Sequence, residues 1–277
     1  MYACRVATVE DVQIETAADG RARILKAALA RPPETNGEPA PGRRAGVILL
    51  HELFGLNDDL RRIAARFADN GYVALAPDFV GRGAPKPICI ARFFKGLGEI
   101  GSGLPYRDLS AARAWLAARP DVDWERIGLA GFCVGGGFAI LYASQAHDVQ
   151  VIAPFYAHLP RDIDALKGIC PVVASYGGRD RSLAGAGDRL AAALQSFGIP
   201  HDVRTYDEAG HSFMNRRSGL TGWIGRVSPM HAGYVEAAAE DAWRRMLDFF
   251  ALHLPVAAPR PPETARPAAG DPARATS

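Results

Sequence analysis

The chain lacks any uninterrupted apolar run of the ~18 residues that a membrane-spanning helix requires, so no transmembrane helix is expected. It also lacks an excess of either charge. Its 32 Lys and Arg against 30 Asp and Glu leave a formal net charge of +2. That balance leaves no electrostatic footprint for nucleic acid or for an acidic membrane surface. Cysteine is scarce, with four residues at Cys4, Cys89, Cys133 and Cys170. Their spacings match neither a zinc pattern nor a C-x-x-C pair. There is no H-E-x-x-H motif, because His51-Glu52 has no second histidine at helical spacing. Neither a metal nor another cofactor is therefore expected. The N-terminus, MYACRVATVED, has no apolar stretch long enough for a secretory signal. A cytoplasmic location follows as the expectation, with the cysteines held as thiols.

What is present is an ordinary globular composition: 277 residues, 48% hydrophobic and 22% charged. That suits one large α/β domain with a sizeable core. Residues 6–30 read as two short strands joined at Asp19-Gly20. A Pro- and Gly-rich connector follows. Gly46 to His51 is a continuous apolar run, as in a central parallel strand covered on both faces. Asn57 or Asp58 can cap a helix through Ala68. Tyr72 to Ala76 is a second buried strand. Residues 83–104 break the pattern with several Gly and Pro around a basic-apolar stretch, Ile88 to Lys95. That stretch reads as a short amphipathic helix, in either a surface insertion or a substrate-covering lid.

From there strand and helix alternate. Asp108–Arg119, Val134–Ala146, Ala186–Phe197 and Val235–Leu252 read as helices. Arg126–Ala130, Gln150–Tyr156, Cys170–Tyr176 and Asp202–Tyr206 read as strands. Short connections between them predict a mostly parallel sheet with helices on both faces. The single domain is expected to span residues 1–254. From Pro255 onward the sequence is Pro, Ala and Arg with almost no large apolar residue, and it reads as a disordered tail.

One segment between a predicted strand and helix carries chemistry. Gly131-Phe-Cys133-Val-Gly135-Gly-Gly137 is a G-x-C-x-G nucleophile elbow with cysteine at its tip. The turn is so tight that side chains at Gly131 and Gly135 would collide with neighbouring elements. It lifts the sulfur above the sheet, and the helix N-terminus beneath favours negative charge there. Such an elbow needs an acid and a histidine, in the order nucleophile, acid, base. Asp180 follows the strand Val172 to Tyr176 through a Gly-Gly turn. His211 follows the strand ending at Tyr206. His211 would pair with the thiol, and Asp180 would hold the imidazole tautomer. Among the seven histidines, His231 is the main rival, since it shares the same C-terminal loop. Asp207 is the rival acid, but it precedes His211 too closely to face its far nitrogen.

The loop after the first central strand, His51-Glu52-Leu-Phe-Gly-Leu-Asn57, supplies the second oxyanion donor in this arrangement. The donors are expected to be the backbone N–H groups of Leu53 and Val134. The loop also brings Glu52 to the mouth of the site. A carboxylate buried beside a thiol is expected to have a raised pKa and to exchange a proton with it.

These motifs resemble those of the dienelactone hydrolases (carboxymethylenebutenolidases) of the α/β-hydrolase superfamily. The resemblance rests on Glu52-Leu-Phe-Gly-Leu-Asn57, Ala76-Pro-Asp-Phe79 with Arg82, Gly131-Phe-Cys-Val-Gly-Gly136, Gly177-Gly-Arg-Asp180 and Ala209-Gly-His-Ser-Phe213. It covers most of the chain from Gly46 to Leu252. It implies an α/β-hydrolase fold and an ester or lactone hydrolase with a Cys133-His211-Asp180 triad. It also implies that Glu52 contacts the resting thiol until substrate turns the carboxylate to take the thiol proton, which guards the idle cysteine against oxidation. Arg82 matches one carboxylate-binding arginine of that family. At the position of the other stands Asn215, followed by Arg216 and Arg217, so Arg216 is the alternative. His51 stands where glutamine is expected.

The expected partner is a small ester or lactone, with a carboxylate if the arginines bind one. The protein is expected to be a monomer or homodimer. A different activity on the same site is acyl transfer or thioester hydrolysis, because a thioester can be intercepted by thiols and amines. A non-enzymatic binding protein, docking through Ile88 to Lys95, is the third reading.

Overall fold

Covered on both faces, a strand needs no polar side, and the run from Ala45 to Leu50 is buried throughout. In the computed structural model, which describes residues 7–18, 21–33, 42–81, 85–99, 101–216 and 229–254, this run is the centre of the sheet. The earlier strands are β1 (Thr8–Ala18) and β2 (Arg21–Arg31), an antiparallel pair at one edge. Along β1, buried Ile14 and Thr16 alternate with exposed neighbours, the period-2 pattern of a strand with one wet face. β3 (Arg44–Leu50), β4 (Val73–Pro77), β5 (Val122–Phe132), β6 (Val151–Phe155), β7 (Val172–Gly177) and β8 (His201–Tyr206) follow.

The described strands form one sheet in the order β1-β2-β4-β3-β5-β6-β7-β8. β2 runs antiparallel to β4, and every pair from β4 to β8 is parallel. This is the α/β-hydrolase architecture expected above. The order reverses at β3: the chain moves outward to β4 and then returns to β5. Ligands of open α/β sheets bind beyond the carboxyl ends of the strands at such a switch point. Leu50 pairs with Gly131 across β3 and β5, so the loops carrying Glu52 and Cys133 leave the sheet side by side.

The helices are α1 (Asp58–Asp69), α2 (Lys86–Gly98), α3 (Leu104–Ala117), α4 (Val134–Ala146), α5 (Ala186–Ser196) and α6 (Glu236–His253). Of the two residues able to cap α1, Asn57 does so: its side chain accepts from the Leu60 N–H. Asp58 and Asp59 lie in the first turn and Arg66 in the last, both favourable to the helix dipole. α3 starts four residues before the predicted Asp108. Pro105 sits in its first turn, where a missing N–H costs nothing. The two N-terminal strands are each 11 residues long, more than the short strands expected.

The irregular stretch after β4 contains a full helix, α2. Its buried side is Cys89 and Phe93, while Ile88 and Phe94 face outward. Phe93 meets Phe138 of α4 edge-on at 5.9 Å and lies 6.2 Å from the His51 ring. Arg82 and the C-terminal tail expected from Pro255 both lie outside the described residues.

Candidate active site

The elbow lies where β5 turns into α4. Cys133 has φ 57° and ψ −119°, a conformation that side-chain-bearing residues rarely adopt. The surrounding backbone enforces it. The Cys133 N–H donates to the Phe155 carbonyl at 3.0 Å, and its own carbonyl accepts from Gly137 at 3.1 Å. Glycine is required at both flanking positions. A Cβ on Gly131 would sit 2.3 Å from the Gly135 carbonyl oxygen, and one on Gly135 would sit 2.3 Å from that of Leu50. The second contact locks the elbow against the end of β3, where the Glu52 loop begins.

His211 and Asp180 come to this point from the ends of β8 and β7. His211 Nδ1 is 2.6 Å from Asp180 Oδ2, and the ring lies close enough to Cys133 for the thiol to act on its pKa. With Nδ1 engaged by the carboxylate, Nε2 is the nitrogen left for sulfur. His211, rather than His231, takes this place. His231 contributes backbone: its carbonyl lies against Gly210, and Met230 accepts from the His211 N–H at 2.8 Å. Asp180 is fixed in turn, because its Oδ1 accepts from the Ser182 N–H at 3.0 Å and the Ser182 hydroxyl at 2.6 Å. Asp207 lies beside Gly178 instead.

Electrostatics follow this geometry. Burial acts to lower the His211 pKa, but the hydrogen bond to Asp180 and the nearby Cys133, with the charges of both, outweigh it and raise the pKa to about 9. Burial acts to raise the Asp180 pKa. Hydrogen bonds from His211 and Ser182 outweigh that and hold it below the ordinary value.

Glu52 is buried. Its Oε1 accepts from the hydroxyl of Ser212, the residue after His211, at 2.5 Å. Ser212 has φ 56°, so the backbone is again left-handed where the site needs a side chain aimed. Local sequence alone does not single out this serine as the partner of Glu52. Its signal was present in the matched Ala209-Gly-His-Ser-Phe213 segment, where it follows the histidine directly.

His51 performs a second unread task. It is buried, and its Nε2 accepts the Phe79 N–H at 3.0 Å. An acceptor nitrogen carries no proton, so Nδ1 is the protonated one. That Nδ1 donates to the Glu52 carbonyl at 2.5 Å. A neutral imidazole thus ties the Glu52 loop to the end of β4. Asp78, beside it, accepts from the Val80 and Gly81 N–H groups and shapes the loop leading to Arg82.

Tyr156, just past β6, is fully buried, with φ 40° and its ring 5.0 Å from that of His211. Its hydroxyl donates to Asn215 Oδ1. Burial first, then the charges of Cys133 and Asp59, push its pKa well above the ordinary tyrosine value, so it stays neutral. Asn215 is thereby committed to the interior. Arg216 turns outward: its N–H donates to Asp59 Oδ2 at 3.0 Å, and its guanidinium bonds the Tyr234 hydroxyl and covers that ring at 4.8 Å. Leu53 lies in the turn closed by Gly55 N–H to Glu52 O at 3.3 Å. Val134 opens α4, where first-turn amides have no intrahelical partner. Among the described residues no cluster of His, Cys, Asp and Glu is arranged to hold a metal.

The model of the dienelactone hydrolase family matches residues 25–254. The chain belongs to the dienelactone hydrolase family. It is thus an ester and lactone hydrolase of the α/β-hydrolase superfamily. A carboxymethylenebutenolidase of Rhodococcus opacus is 32% identical over 226 residues, covering 76% of this chain and 82% of the relative. Two solved structures share the fold. One, a dienelactone hydrolase-like promiscuous phosphotriesterase from metagenomic libraries, has a TM-score of 0.70 at 23% identity. It covers 88% of this chain and 98% of that one. The other, an acylaminoacyl peptidase of Pyrococcus horikoshii, has a TM-score of 0.64 at 13% identity and covers 90% of this chain and 42% of that one. No described helix is long and apolar enough to cross a membrane.

Proposed function

We propose that this dienelactone hydrolase family member cleaves small carboxylic esters or lactones through an acyl-thioenzyme on Cys133. The observation that carries the reading is His211, hydrogen-bonded to Asp180 and close enough to Cys133 for the thiol to raise its pKa. In the first half-reaction sulfur bonds the carbonyl carbon as its proton passes to Glu52, while His211, protonated near neutral pH by its raised pKa, stands ready as the acid. The Leu53 and Val134 N–H groups receive the developing oxyanion. The tetrahedral intermediate then expels the alkoxide, which takes its proton from His211. In a lactone that alkoxide stays tethered to the acyl group. Water, deprotonated by the now neutral His211, attacks the thioester, and the departing thiolate takes its proton back from Glu52.

Glu52 is the acceptor of the thiol proton in this scheme. At rest its Oε1 is occupied by Ser212. Substrate entering the mouth displaces that hydroxyl and frees the carboxylate to take the thiol proton. Buried Asn215 and outward Arg216 leave Arg82 as the candidate for a substrate carboxylate. Arg82→Ala is expected to raise KM for anionic esters and spare neutral ones. The decisive test is Cys133→Ala on a short-chain aryl ester. Turnover is expected to vanish, and wild-type turnover would refute the assignment. Product analysis with an added thiol or amine separates hydrolysis from acyl transfer.

A further inference from the structure

A cavity of ≈ 130 Å³ lies between β2, the end of β4 and the α2–α3 corner, lined by Arg23, Phe79, Cys89, Arg92, Phe93, Leu104 and Pro105. None of its lining residues is acidic, and none belongs to the proposed triad. Arg23 enters from β2 and is half-buried; Arg92 enters from α2 and is exposed. Neither guanidinium has an ion pair or hydrogen bond with a described residue. The opposite wall is apolar and aromatic. Phe79 and Phe93 pack against each other at 6.2 Å and are buried.

Half-buried Arg23 and exposed Arg92 set two positive charges at the rim of this apolar enclosure, whose lining holds no acidic residue. An anion between them would pair with both, because guanidinium groups bind carboxylates through charge-assisted hydrogen bonds. The volume sets the size of the rest of the ligand. An engineered cavity of about 150 Å³ with aliphatic and aromatic walls accepts benzene. We propose that this cavity binds a small organic carboxylate with an apolar body of about ring size. The ring would lie on Phe79 and Phe93, with the carboxylate on Arg23 and Arg92.

The site is separate from the thiol but shares a wall with its supports. The Phe79 N–H is the donor to His51 Nε2, and the His51 ring lies 5.5 Å from that of Phe79. The ligand is therefore expected to bind whether or not the reaction assigned to Cys133 takes place, and the test uses a catalytically blank protein.

The experiment is calorimetric titration of the Cys133→Ala full chain with sodium benzoate, with benzamide as the neutral isostere. Saturable binding at one site is expected. Arg23→Gln and Arg92→Gln should each weaken it about tenfold or more, as should replacing benzoate with benzamide. Arg82→Gln and Arg216→Gln should leave it unchanged. Absence of binding would overturn the proposal. So would binding that ignores Arg23→Gln and Arg92→Gln, or that is lost with Arg82→Gln, because the carboxylate would then belong to the mouth of the catalytic site. Since turnover is never read, a failure here is distinct from a failure of the acyl-thioenzyme reading.

Discussion

Ser212 donates its hydroxyl to Glu52 Oε1 at 2.5 Å, so the residue next to the site's histidine holds the site's second carboxylate. The two residues come from the ends of β8 and β3, on opposite sides of the switch point. A hydrogen bond to a charged group contributes about 1.5–3 kcal/mol. In the proposed scheme, turning Glu52 toward the thiol breaks that bond, so Ser212 would set how readily Glu52 moves.

Ser212→Ala and Ser212→Gly both delete the hydroxyl, but only glycine relaxes the left-handed backbone at φ 56°. Both variants remove the bond that holds Glu52 away from the thiol, so each is expected to speed iodoacetamide alkylation of resting Cys133 about tenfold or more, a factor consistent with about 1.4 kcal/mol. Mass spectrometry of the time course reads the result. Equal gains in the two assign the effect to the hydroxyl, while a wild-type rate in the glycine variant would remove Ser212 from the account.

His51→Phe should be costly although His51 touches no substrate in the scheme. It removes the acceptor of the buried Phe79 N–H and one of the two donors to the Glu52 carbonyl, at about 1–3 kcal/mol for the N–H. Denaturant unfolding is expected to show a loss within that range or above it. His51→Gln keeps a donor and an acceptor and should recover part of the loss. A fully stable phenylalanine variant would mean the imidazole bridge is not needed.

The His211–Asp180 pair gives stability a pH dependence with a defined sign. His211 is raised from 6.5 to about 9, so its contribution is whole below pH 6.5 and lost as pH climbs through about 9. The size is on the order of 3 kcal/mol across that window. Asp180 is shifted down, so its contribution is present above its unfolded value and lost as pH falls through the lowered one. Thermal melts from pH 6 to 9.5 should show a falling midpoint in the wild type and a flatter profile in His211→Gln. Parallel profiles would contradict the assigned shift.

The positions that announced themselves in the sequence share one property: each sits at the carboxyl end of a strand beside glycine. Gly131 and Gly135 bracket Cys133, Gly177-Gly178 leads to Asp180, and Gly210 precedes His211. Backbone geometry forces those glycines, so local sequence records them. The sheet was legible for the same reason, since buried parallel strands are continuous apolar runs.

Contacts between distant side chains leave no such trace. Nothing along the chain couples Ser212 to Glu52, 160 positions away. Nothing local identifies the ring of His51 as a bridge to Phe79, or the left-handed turn at Tyr156. The arginine register was open for the same reason. Packing buries Asn215 against Tyr156 and turns Arg216 to Tyr234, while Arg217 lies outside the described residues. The early start of α3 was hidden because Pro105 reads as a breaker unless it falls in a first turn.

The central claim is that sulfur of Cys133 carries the acyl group. Rapid quenching in acid during turnover of a short-chain aryl ester, followed by mass spectrometry of the intact chain and its peptides, tests it directly. The account predicts one added acyl group, located on the peptide containing Cys133 and absent from Cys133→Ala. An acyl group on another residue, or turnover by Cys133→Ala at the wild-type rate, would contradict it.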